Sequence, residues 1–78
     1  MSRKYEVELH FFNGDTVTAV LPGENADDAI KMAFGGELNC THIMADLADS
    51  ENKIGYTVSA LAWAEATEWK ELVRKHIT

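Results

Sequence analysis

Two runs of alternating apolar and polar residues flank a single Asn-Gly pair, and this restricts the first third of the chain to a β-hairpin. In KYEVELHFF, residues 4–12, Tyr5, Val7, Leu9 and Phe11 alternate with Lys4, Glu6, Glu8, His10 and Phe12. In TVTAVL, residues 16–21, Val17, Ala19 and Leu21 alternate with Thr16, Thr18 and Val20. Each run has the period of a half-buried strand. A two-residue turn on Asn13-Gly14 sets Phe11 against Thr16, so an apolar face meets a polar one. Side chains repeat every second residue, so an odd shift carries this mismatch along the whole strand. A three-residue connection, Asn13-Gly14-Asp15, restores the match. It places Phe12 opposite Thr16, Phe11 opposite Val17, Leu9 opposite Ala19 and Val7 opposite Leu21. Gly takes the positive φ of such a turn freely, and Asn and Asp take it tolerably.

Pro22-Gly23 ends the second strand. Asn25 caps a helix over 26–34, with Asp28 in the capping-box position and Asp27 and Asp28 at the positive end. Its apolar stripe is Ala26, Ile30, Ala33 and Phe34, and Gly35-Gly36 stops it. Residues 40–47 read as a strand, with a helix as the competing reading, and residues 54–59 read as another strand that continues to about residue 62. From about residue 65 the 3.6-residue spacing of Trp69, Leu72, Val73 and His76 predicts a second helix, with Lys70, Arg74 and Lys75 near its negative end. Two other readings compete over 60–66: a helix starting after Ser59, and a strand in which Ala60, Ala62 and Ala64 alternate with Leu61, Trp63 and Glu65. The expected fold is α+β, one domain spanning 1–78. It is a small antiparallel sheet in β-β-α-β-β-α order with both helices packed on one face. The expected core is Tyr5, Val7, Leu9, Phe11, Val17, Ala19, Leu21, Ile30, Phe34, Ile43, Leu47, Tyr56, Val58, Trp69, Leu72 and Val73.

A chain of 78 residues buries roughly 60–65% of its unfolded surface, so its expected stability is modest and self-association is a natural supplement. An apolar share of 46% is too high for disorder. Cys40 is the single cysteine, which suits a reducing compartment. No apolar run has the length of a membrane span or the pattern of a signal peptide, and the expected location is the cytoplasm. The net charge is −6, and it is skewed: Tyr5 to Asn52 hold ten acidic residues and one basic residue, Lys31. Such a field repels phosphates and attracts a basic protein surface.

Constellations that would carry chemistry do not form. Cys40 and His42 share a strand face but lack the paired spacing of a zinc site, and His10 and His76 are distant. DLADSEN, 46–52, has no central Gly and no EF-hand pattern. AFGGEL is not a phosphate loop. Cys40 and Ser50 as nucleophiles and His10 as base have no spacing that joins them. Lys70, Arg74 and Lys75 are the only basic cluster, where a helix end ordinarily attracts cations. The chain is therefore expected to be no enzyme, to carry no cofactor or metal, and to bind neither nucleic acid nor membrane.

Protein binding is what the residues favour. The sheet face opposite the helices is expected to hold Glu6, Glu8, His10, Phe12, Thr16, Thr18 and Val20, an acidic surface with an apolar corner. Trp63 is expected to be exposed next to a helix. Aromatic anchors ringed by polar groups are the usual centres of interfaces. The expected role is that of a small acidic inhibitor or adaptor docking on a basic, nucleic-acid-binding surface of a larger protein. In size and charge alone the chain is similar to phage-encoded counter-defence inhibitors. The second reading is a homodimer formed through the sheet corner or an edge strand.

Overall fold

The computed structural model describes residues 3–69 of the chain. Strands β1 (Arg3–Phe11) and β2 (Thr16–Gly23) form the hairpin. Their register pairs Tyr5 with Leu21, Val7 with Ala19, Leu9 with Val17 and His10 with Thr16. The connection is Phe12-Asn13-Gly14, not Asn13-Gly14-Asp15. The Phe11 N–H donates to the Asp15 carbonyl at 2.9 Å, and the Gly14 N–H donates to the Phe11 carbonyl at 3.0 Å. The register is thus displaced by two residues from the sequence-based one. A displacement of two keeps apolar facing apolar, so alternation alone accepts both registers. The turn decides between them. Three-residue hairpin loops end on a residue of positive φ, and here that residue is Gly14, at φ +96°. The expected loop would have put this conformation on Asp15. The Asn13 carboxamide instead accepts the Asp15 N–H at 2.9 Å.

Helix α1 (Ala26–Ala33) follows. Asn25 caps it by accepting the Asp28 N–H at 2.9 Å. The Asp28 carboxylate reaches back to the Glu24 N–H at 3.3 Å, one residue beyond the usual capping-box partner. At the other end Gly36 N–H donates to the Lys31 carbonyl and Gly35 N–H to the Met32 carbonyl. This is a Schellman pair, and Gly35 takes the positive φ it needs, +108°. The helix buries Ala29 and Ala33 completely, which lets its backbone lie close on the sheet. Phe34, expected in the stripe, is the C-cap residue and is exposed.

Strands β3 (His42–Leu47) and β4 (Lys53–Thr57) form a second hairpin. Both are shorter than expected: Cys40 and Thr41 precede β3, and Val58–Ala60 form a 3-10 turn. The next element is strand β5 (Leu61–Glu68), where a helix was expected from about residue 65. The sheet has five antiparallel strands in the order β4-β3-β2-β1-β5. Among the described residues α1 is the only α-helix, so the two-helix β-β-α-β-β-α reading is wrong. The expected helix beyond Trp69, with Leu72 and Val73, lies outside the described residues. The physical reason for β5 is pairing. Ala64 and Ala66 turn toward the core while Trp63, Glu65 and Thr67 turn away, and the strand satisfies the free backbone edge of β1. Alanine's preference for helix is weak beside a full ladder of strand hydrogen bonds.

The core lies between α1 and the sheet: Tyr5, Val7, Leu9, Ala19, Leu21, Ala29, Ala33, Ala45, Tyr56 and Leu61. Phe11 and Ile43 pack against it only in part, and Val17, Ile30, Leu47, Val58 and Trp69 are half-buried. Tyr56 closes the far side. Its hydroxyl donates to the Ala33 carbonyl at 2.6 Å, and its ring meets Phe11 edge-on, centroids 5.4 Å apart. No helix among the described residues is long and apolar enough to cross a membrane.

Candidate functional site

The helix covers one face of the sheet and leaves the other to side chains of alternate residues. On β1 these are Lys4, Glu6, Glu8 and His10. On β2 they are Thr16, Thr18 and Val20, and on β5 they are Trp63, Glu65 and Thr67. His10 sits between its two cross-strand partners, Thr16 and Trp63. Its imidazole is stacked on the Trp63 indole with centroids 3.6 Å apart and planes 2° from parallel. The Glu8 carboxylate lies 2.7 Å from His10 Nε2, so Nε2–H donates to it. In the neutral ring Nδ1 is then the acceptor for the Thr16 hydroxyl, 3.4 Å away. Three contacts thus fix the ring, and the ring in turn holds Trp63 flat.

A bulge aims the tryptophan. Between His10 and Phe11 the β1–β5 register shifts, so Trp63 opposes His10 but Leu61 opposes Phe11. Residues two apart on a regular strand share a face. Here the extra residue sends Leu61 into the core, where it is buried, and leaves Trp63 on the outer face, 49% exposed.

The next rung carries two like charges, with Glu8 directly opposite Glu65. Such pairs are destabilising in a sheet. Glu8 is relieved by His10. Among the described residues the Glu65 carboxylate has no hydrogen bond or ion pair. Glu6 follows two residues along β1, opposite Val20 and Thr67.

Of the residues expected at the site, Glu6, Glu8, His10, Thr16, Thr18, Val20 and Trp63 share this face. Phe12 does not. It occupies the first position of the turn, 76% exposed, and its N–H donates to the Ala60 carbonyl at 3.0 Å. It therefore lies at the hairpin tip and not beside Thr16. Glu65 is the residue that sequence reasoning missed, because it was assigned to the start of a helix. The alternation of Ala62, Ala64 and Ala66 with Trp63, Glu65 and Thr67 was the signal for it.

Thr16, His10 and Glu8 place a hydroxyl, an imidazole and a carboxylate in a row, the order of parts in a hydrolytic triad. The row lies on the open sheet surface. The hydroxyl contact is long, at 3.4 Å. One cavity, about 430 Å³, opens between Pro22, Lys31, Met32 and Leu38. Another, about 390 Å³, opens between Lys4, Val20, Leu47 and Trp69. No protein-family model, curated protein or solved structure matches the chain. The face continues onto β3 and β4, where Asp46 opposes Val20 and Lys53 opposes Asp46. Lys53 bonds the Asp46 carboxylate at 2.6 Å and, by that bond and its charge, holds it below the usual range. Cys40 is exposed and free. His42 is exposed next to the Thr41 hydroxyl. Among the described residues no group of three His, Cys, Asp or Glu side chains could hold a metal ion.

Proposed function

We propose that the chain is a non-enzymatic protein-binding module of the cytoplasm, an inhibitor or adaptor that docks the outer face of its sheet on a basic surface of a larger protein. The observation that carries this reading is the half-exposed Trp63, held flat on His10 beside the carboxylates of Glu8 and Glu65. A pre-ordered aromatic ring loses little freedom on binding and suits the centre of an interface. The surrounding carboxylates supply charge complementarity to a basic groove and speed encounter with it. The same charges oppose nucleic acid phosphates.

The test is binding of the full chain to basic nucleic-acid-binding proteins across a salt series. Affinity should fall with salt. Reversing Glu6 and Glu8 to Lys should weaken it at least about tenfold, a change of about 1.4 kcal/mol. The Glu8→Gln variant, which keeps an acceptor for His10, separates charge from ring positioning. An affinity unchanged by the double reversal rejects the acidic-face reading.

A homodimer is the second reading, favoured by the eight residues of β5 at the edge of the sheet. An edge strand offers unpaired backbone groups to another copy. Light scattering over a concentration series decides it. A monomer at high micromolar concentration excludes it.

A further inference from the structure

We infer that the cation this face takes is an arginine side chain of the partner, its guanidinium lying on the open face of Trp63 and hydrogen-bonded to Glu65. This deepens the docking reading above and rests on it. One face of the Trp63 indole is covered by His10, at 3.6 Å and parallel. Trp63 as a residue is nevertheless 49% exposed, and the ring face turned from His10 is the one a ligand can reach. β5 is the last strand of the sheet, and no further strand of the described residues flanks that side.

The carboxylate that would meet the cation is adjacent. Glu65 lies two residues along the same strand and on the same face, a separation of about 7 Å at the rise of a β-strand. A guanidinium on the indole spans part of that distance, and the carboxylate reaches the rest. Glu65 also faces Glu8 across the rung. A cation bound there would sit beside two carboxylates of like charge.

Arginine fits this arrangement better than lysine. Its charge is planar and weakly hydrated, it stacks on aromatic faces, and its in-plane N–H groups remain free to bond a carboxylate while it does so. An ammonium has no plane to stack and holds its water more tightly. Phosphate ligands are opposed by Glu6, Glu8 and Glu65 together.

The experiment uses the full chain, isotope-labelled, titrated with oligo-arginine and oligo-lysine peptides of equal length. Affinity is read by calorimetry, and the site is read from the Trp63 indole N–H resonance, assigned by its loss in Trp63→Phe. The arginine peptide should bind about threefold to tenfold more tightly and should move that resonance. Trp63→Ala should abolish the preference while leaving salt-sensitive binding of both peptides. Trp63→Phe, the milder change, should retain part of the preference if the alanine variant proves poorly folded. Glu65→Gln should weaken the arginine peptide more than the lysine peptide. Equal affinities, or a preference that survives both Trp63 variants, overturn the arginine site. If binding is equal, salt-sensitive and weakened by reversal at Glu6 and Glu8, the acidic docking face stands without it. If neither peptide binds, the arginine site is overturned and the docking face loses its electrostatic support.

Discussion

The His10 imidazole lies flat on the Trp63 indole, with 3.6 Å between ring centroids and 2° between planes. The pair joins β1 to the last strand of the sheet on the face that the helix does not cover. It converts an exposed tryptophan, ordinarily a mobile surface group, into a positioned one.

The two rings should therefore be energetically coupled. A double-mutant cycle on His10→Ala and Trp63→Ala, followed by urea unfolding, should give an interaction of about 0.5–1.5 kcal/mol. Thr16→Val should reproduce only a small part of it, since its hydroxyl contact to the ring is long. A cycle that closes to zero would show the stack to be incidental.

Glu65→Gln should raise stability by roughly 0.2–1 kcal/mol, because it removes a carboxylate placed directly opposite Glu8. The gain should shrink as salt is added. The same variant is expected to weaken arginine binding, so stability and binding should move in opposite directions. Equilibrium unfolding at low and high salt measures the first half of this expectation.

Tyr56 should make the fold sensitive to alkali. Burial pushes its phenol up to about 12 from an ordinary value of 10.0. The folded chain therefore keeps a proton that the unfolded chain releases at lower pH. This contribution is complete below about pH 10 and is lost as pH climbs toward about 12. Denaturant midpoints taken from neutral pH upward should fall through that window. Tyr56→Phe should flatten the fall. At neutral pH it should cost about 1–3 kcal/mol by leaving the Ala33 carbonyl without its buried donor.

Gly14→Ala should cost about 1 kcal/mol. A Cβ there meets no atom within 4 Å, so the cost is conformational, from φ +96°. Phe12→Ala, one turn position from the strand, should change stability by no more than about 0.5 kcal/mol. Thermal or urea unfolding of the two variants compares them directly. A Phe12→Ala collapse with a tolerant Gly14→Ala would mean the turn is built differently.

Local signals sufficed for much of this fold. The alternation in residues 4–12 and 16–21 determines which side chains of the first hairpin face the core. Asn25 with Asp28, and Gly35-Gly36, determine where the helix begins and ends, because caps depend on residues within one turn. The same signals gathered Glu6, Glu8, His10, Thr16, Thr18 and Val20 on one surface. Three things required the assembled sheet. The register of the first hairpin was one, since a two-residue displacement preserves every face and only the closure of the loop on Gly14 separates the alternatives. The strand character of residues 61–68 was another. It depends on the free edge of β1, a partner fifty or more residues away in sequence, while the local alanines point weakly toward helix. The last was the bulge opposite Phe11, which buries Leu61, turns Trp63 outward onto His10 and sets Glu65 against Glu8. A bulge is a property of two strands meeting, so neither strand's sequence contains it by itself.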